Sequence, residues 1–360
     1  MNGFPEGNAI IYCEGAFSTS NGKTAHGLIR RSERYNVLSV VDSRHAGNDA
    51  GYILDGRKTD IPIHYSIPES VECFKYSDTP ASHLVVSLAP DGGRLCSTAE
   101  QDIRKGIELG LHIDSGLHDL LSEYPSFAEL SAKNGIKIRD IRKTPPLKEM
   151  HFFTGKIEQV SCARIAVLGT DSAVGKRTTA WMILDELRKR RYGAEFVGTG
   201  QTAWMQGAKY SIILDSLVND FVSGEIEHAV WQAWKECNPD FIILEGQGSL
   251  LNPAYPGGFE ILAGGRPDII VLQHAPGRED YDGFPDYPLH PLEKQIQALE
   301  IISGKPVIVI TVNHENLDRE DVPSICEKIS HDTGIPSCDM LLDGPQRAVD
   351  VILSYLDSTK

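Results

Sequence analysis

The chain has 360 residues, enough for about two domains of ordinary size, each with its own core. A hydrophobic fraction of 41% with 24% charged residues fits a globular protein and argues against disorder. A formal net charge of −15 disfavours nucleic acid, whose phosphates need clustered Lys and Arg, while leaving room for small anionic ligands held by local dipoles and single cations.

The seven cysteines carry no C-x-x-C pair or metal-ligand spacing, which points to a reducing cytoplasm rather than a disulfide framework. No basic-then-apolar leader opens the chain and no apolar run approaches membrane-spanning length, so a cytoplasmic protein without a membrane partner is expected.

Ala9–Cys13 reads as a first strand leading into Glu14-Gly15, then Gly22-Lys23-Thr24 and a helical stretch to about Arg31. Val37–Val41 is a second strand ending in Asp42. An acid about twenty positions after a glycine turn is where a dinucleotide fold meets a ribose hydroxyl, yet the full G-x-G-x-x-G spacing is absent. Two readings stand: an α/β domain with glycines at its turns, or a second nucleotide site.

Further strands are predicted at His83–Ala89, His112–Ser115 and Ile136–Ile141, with helices at about Ser97–Leu109 and up to Lys133. Strands alternating with helices imply a parallel sheet whose ligands gather at the carboxyl ends of the strands, where Asp42, Asp91, His118 and Asp119 fall. For each singly, a capping or turn role is the simpler expectation. The polar, proline-bearing stretch Arg142–Lys148 reads as a linker, which places the domains at 1–145 and 146–360.

Arg164–Leu168 is a short apolar strand, followed by Gly169-Thr170-Asp171-Ser172-Ala173-Val174-Gly175-Lys176-Arg177-Thr178-Thr179 and a helix to about Arg191. Strand, glycine-bounded turn and helix with Lys176 at its start form a nest of backbone N–H groups at the positive end of a helix dipole. All eleven residues are candidate cofactor contacts. The usual phosphate loop has four residues between its glycines and Ser or Thr directly after the lysine. Here there are five and Arg177 follows. One residue turns a helix by about 100°, so the magnesium hydroxyl, assigned to Thr178, need not reach the usual position.

Ala194–Val197 leads to Gly198–Thr202, and the stretch Lys209–Phe221 supplies Lys209 and Asp215. Phe241–Leu244 ends in Glu245-Gly246-Gln247-Gly248; a carboxylate closing a buried strand beside such a loop is where magnesium or its water is held. Asp268–Gln273 precedes His274-Ala275-Pro276-Gly277-Arg278 and an aromatic loop from Tyr281 to Pro288. Arg278 is a candidate carboxylate clamp, and His274 a candidate proton carrier. Pro306–Thr311 ends beside Asn313, whose donor–acceptor pair suits an adenine edge. Helices at about Asp321–His331 and Gln346–Asp357 close the chain.

Gly169–Lys176, Glu245–Gly248 and Val312-Asn313 resemble the phosphate, magnesium and adenine motifs of dethiobiotin synthetase and its P-loop relatives. Glu14-Gly15, Gly22–Ala25, Val41–Ser43, Ala46-Gly47, Asp49–Gly51, Ser115–Asp119 and His274–Arg278 extend the likeness nearly end to end. The whole chain resembles a two-domain family, with a Rossmann-like first half and this P-loop second half, that includes D-glutamate N-acetyltransferases.

The resemblance implies a cytoplasmic, homo-oligomeric enzyme moving an acetyl group from acetyl-CoA to a small acidic amino acid. Glu245 or Asp215 would be the base, Lys176 and loop amides would hold the oxyanion, and Arg278 and Lys209 would pair with substrate carboxylates. The alternative is an ATP- and Mg2+-dependent carboxylate-activating ligase, with Thr178 and Glu245 on the metal. An alternative of another class is a non-catalytic nucleotide sensor.

Overall fold

A computed structural model describes residues 4–88 and 94–358. It divides into two compact units, Met1–Thr144 with Gln201–Ala208, and Pro145–Gly200 with Lys209–Lys360.

The first unit is a six-stranded parallel sheet. Its strands are β1 (Gly7–Tyr12), β2 (Tyr35–Val41), β3 (Ile63–His64), β4 (His83–Val86), β5 (His112–Ser115) and β6 (Ile138–Asp140), in the order β3-β2-β1-β4-β5-β6. Every described pairing is parallel, and β1 lies buried between β2 and β4. The apolar residues of these strands fill the core on both faces, as a parallel sheet covered by helices requires.

Asp42, at the carboxyl end of β2, is fully buried and accepts the N–H groups of Phe17 at 3.0 Å and Arg44 at 2.9 Å. Its role is to cap a turn, not to wait for a ribose. Asp119 likewise accepts the N–H of Leu95 at 2.7 Å. Burial, then the nearby Arg142, lowers the pKa of His118. Asp91 lies outside the described residues.

The second unit is a seven-stranded parallel sheet. Its strands are β7 (Ala163–Gly169), β8 (Ala194–Gly198), β9 (Tyr210–Ser211), β10 (Phe241–Glu245), β11 (Ile269–His274), β12 (Val307–Val312) and β13 (Ser337–Asp339), in the order β13-β12-β11-β7-β10-β8-β9. From β7 the chain first builds β8 and β9 on one side, inserts β10 between β7 and β8, and then crosses to build β11, β12 and β13 outward on the other. The topological switch therefore sits at β7, and ligands of open α/β sheets bind beyond the carboxyl ends of the strands at that point.

A 19-residue helix, Asn219–Cys237, packs on this unit without having been legible beforehand. Its buried face includes Gly224 and Glu227, which break the apolar period. Gly224 is required there, because a Cβ would meet the carbonyl oxygen of His151 at 2.1 Å. Glu227 instead accepts the N–H groups of Thr154 at 2.8 Å and Ile157 at 3.2 Å, tying the segment before β7 to the helix. Among the described residues, no helix is long and apolar enough to cross a membrane.

Candidate functional site

The switch-point strand β7 ends at Gly169, and the helix Lys176–Lys189 begins after a six-residue loop. Within the loop Ala173 (φ +52°) and Gly175 (φ +104°) are left-handed, so the backbone folds inward on itself. Alternation of this kind gathers N–H groups into an anion-binding concavity at the helix's positive end. The N–H groups of Ala173, Val174 and Gly175 have no acceptor among the described residues.

Lys176 lies over this concavity with only 7% of its surface exposed. Its stem crosses Gly169, where a Cβ would stand 2.9 Å from the lysine Cδ. Its Nζ donates to the carbonyl oxygens of Asp171 at 2.7 Å and Gly248 at 2.8 Å. The lysine thus joins the loop after β7 to the glycine loop after β10. A phosphate would offer it a charged acceptor in place of neutral ones, the stronger kind of hydrogen bond.

Glu245 closes β10, next to β7 in the sheet, and its own carbonyl accepts the Thr199 hydroxyl at 2.7 Å. The Gln247 amide donates to the Thr199 carbonyl, fixing the neighbouring loop. Burial pushes the Glu245 carboxyl above its usual range, against the pull of Arg177 and then Lys176. A guanidinium Nη1 of Arg177 stands 3.9 Å from Glu245 Oε1.

The hydroxyls that follow separate. Thr178 stays half-buried at the helix start. Thr179 turns into the sheet and donates to Gln273 Oε1 at 2.5 Å, which also accepts Thr311 at 2.6 Å. The expectation of a cofactor contact at Thr179 is therefore corrected: its hydroxyl is used internally.

Asp171 is fully buried, and four donors saturate it. They are the N–H of Ser172 at 2.6 Å, Asn252 Nδ2 at 2.7 Å, the N–H of Asp282 at 2.8 Å and Arg278 Nη1 at 2.9 Å. Arg278 also donates to the Ser172 carbonyl at 2.8 Å and to Glu315 Oε2 at 2.8 Å. Its side chain is only 9% exposed. The expectation that Arg278 clamps a substrate carboxylate is corrected, because its donors brace the loop and pair with two acids of the chain. The aromatic loop is part of the same framework, since the Ser172 hydroxyl donates to Asp282 at 2.9 Å.

Asn313 is also engaged. Its amide donates to the Val174 carbonyl at 3.1 Å and its oxygen accepts the Glu315 N–H at 3.0 Å. The pair expected to read an adenine edge is satisfied within the chain, so this reading is withdrawn. Lys209 forms a surface ion pair with Glu236 at 2.8 Å, and Asp215 lies exposed in a short turn after β9.

His274 ends β11 with its Nδ1 3.0 Å from the Thr170 hydroxyl. Burial lowers its pKa to about 4, so it is neutral near neutrality and a weak proton acceptor. Because the folded pKa lies below the ordinary 6.5, the unfolded chain takes up the proton first as pH falls. Stability is then full above the ordinary value and is lost on acidification toward the folded one. Going from about pH 7 to about pH 5 should cost about 2 kcal/mol through this residue. Urea unfolding at the two pH values should show that loss shrinking in His274→Asn.

Asp282, Asn252, Gln273 and Glu315 were not singled out from the sequence. Asp282 and Asn252 reach across the fold to the loop after β7, Gln273 to the Thr179 hydroxyl and Glu315 to Arg278, relations no local spacing records.

A parallel sheet whose switch-point strand feeds a glycine-bounded loop and a buried lysine defines a P-loop domain, here accompanied by a Rossmann-like one. The chain belongs to the DUF1611 family. Residues 151–349 match its C-terminal domain, described as a P-loop domain of unknown function, and residues 43–144 match its Rossmann-like N-terminal domain, also of unknown function.

A D-glutamate N-acetyltransferase from a Pseudoalteromonas species is 32% identical over 283 residues, covering 77% of this chain and 81% of that protein. Another so named, from Tritonibacter scottomollicae, is 29% identical over 283 residues, covering 76% of this chain and 81% of that one. The crystal structure of a DUF1611 family protein from Anabaena variabilis superposes with a TM-score of 0.87 at 27% identity, covering 97% of this chain and all of that one.

Proposed function

We propose that this protein is an N-acetyltransferase that moves an acetyl group from acetyl-CoA to the amine of a small acidic amino acid of the D-glutamate class. The observation that carries the reading is the pair of relatives bearing that activity's name, aligned over three quarters of the chain. The P-loop supports it with a cradle and a lysine suited to cofactor phosphate.

In this reading the loop amides from Ala173 to Gly175 and Lys176 hold phosphate of CoA. Glu245 is the proposed base: burial raises its affinity for a proton, which suits a group that takes one from the substrate ammonium near neutrality. The freed amine attacks the thioester carbonyl, a C–N bond forms, and the C–S bond breaks. The thiol leaves carrying the electron pair and takes up a proton. Asp215, exposed in its turn, is the second candidate base.

The test is incubation of the protein with D- or L-glutamate and either acetyl-CoA or Mg-ATP, following free thiol, ADP and product mass. Thiol release with an acetylated product is expected, and with the D-isomer preferred. Release of ADP dependent on the amino acid would replace this reading with a carboxylate-activating ligase, which the P-loop fold alone would equally accommodate. Neither release would leave a nucleotide-sensing protein.

A further inference from the structure

Most P-loops hold polyphosphate jointly with a magnesium ion, bound by the hydroxyl after the lysine and by an acid at a neighbouring strand end. The donor set here does not fit that ion. The residue after Lys176 is Arg177, and its guanidinium faces Glu245 at 3.9 Å with 23% and 8% of the two side chains exposed. The second acid of the loop, Asp171, is saturated by four donors from the chain. Thr178, the hydroxyl expected on the metal, stands half-buried two positions after the lysine instead of next to it, and the Thr179 hydroxyl points into the sheet, on Gln273.

We infer that Arg177 takes the charge role a divalent cation has elsewhere, so that this cradle holds its phosphate without metal and favours a diphosphate diester, the linkage in CoA, over a triphosphate. The charges around the cradle support the preference. Lys176, Arg177 and Arg278 against Glu245, Asp171, Asp282 and Glu315 leave one net negative charge (three positive, four negative), whereas a divalent ion in place of the Arg177 guanidinium would leave none. A diester diphosphate is less negative than a triphosphate and needs less compensation. A guanidinium is permanently protonated and presents a rigid fork that matches phosphate oxygens, so it can shift from the carboxylate to the ligand while staying within reach of both.

This inference rests on reading the loop as a cofactor-phosphate site, and its test uses binding rather than turnover. Calorimetric titration of the whole protein with CoA, and separately with ATP, is compared in excess EDTA and in excess magnesium. CoA should bind equally in both, and more tightly than ATP in EDTA. Arg177→Ser should weaken CoA binding in EDTA by roughly ten- to a hundredfold, the range for losing a charged hydrogen bond, in a variant whose circular dichroism shows it folded at the titration temperature. Arg177→Lys, which keeps the charge, should lose less and remain indifferent to magnesium.

A wild-type protein that binds CoA only with magnesium, that binds neither ligand, or whose Arg177→Ser variant binds CoA in EDTA as well as before would overturn the inference. Metal-independent CoA binding without thiol release from any acidic amino acid would leave it standing and remove the acetyltransferase reading instead.

Discussion

Lys176→Ala should abolish turnover in the proposed reaction and weaken cofactor binding on the order of a hundredfold or more, since a buried ammonium at the cradle would give a phosphate charged hydrogen bonds that Arg177 alone does not make up. The effect has two sources that can be separated. The stem covers Gly169, while the ammonium supplies the charge and ties the Asp171 carbonyl to that of Gly248. Lys176→Met keeps the stem and deletes the charge with both ties. If binding fails equally in both variants while the alanine variant melts earlier than the methionine one, the ammonium is the binding element and the stem adds a structural part of its own. Unchanged kinetics in Lys176→Met would remove the loop from the mechanism.

Asp171→Ala should be the most destabilising single change in the P-loop unit, by about 3 to 5 kcal/mol, because it strips one partner from a buried charge pair. Four donors lose their acceptor at once: two backbone N–H groups, the Asn252 amide and one arm of Arg278. Asp171→Asn should cost less, since its oxygen still accepts some of them, but its own NH2 would meet donors. Chemical denaturation followed by Trp fluorescence reads both. A loss below about 1 kcal/mol in the alanine variant would mean the network is dispensable, since even one orphaned buried donor carries that penalty. The Tyr281–Pro288 loop should also become more open to proteolysis in the same variant, having lost the Asp282 N–H contact.

The phosphate loop was legible because its signal is local: an apolar strand, two glycines at fixed spacing and a lysine opening a helix. The central strands were equally clear, since buried parallel strands are apolar throughout. The edge strands Ile63–His64, Tyr210–Ser211 and Ser337–Asp339 are two or three residues long and carry no period to detect.

What failed at the site failed for one physical reason. Arg278 and Asn313 have the right chemistry for ligands, but a side chain's partner is decided by the fold. Arg278 had Asp171 and Glu315 waiting, more than 100 and nearly 40 residues away in sequence. Asn313 had the Val174 carbonyl, 139 residues away. Residue type announces what a group can bond, and sequence order is silent on which acceptor arrives first.

The helix Gln201–Gln206 belongs to the first unit although its sequence lies deep inside the second. Its Met205 is fully buried among Ala9, Ile11 and Leu28, and the Gln206 amide donates to the Gly27 carbonyl at 2.8 Å. Arg34 Nε donates to the Trp204 carbonyl at 2.7 Å, and the Glu33 N–H donates to the Gln206 carbonyl at 2.8 Å. A gene fragment that stops at Thr144 would accordingly encode a body with a piece of its interior missing. Dissecting this protein therefore calls for a graft: residues 201–208 would have to travel with the amino-terminal fragment, and the gap left between Gly200 and Lys209 would need a bridging segment of its own.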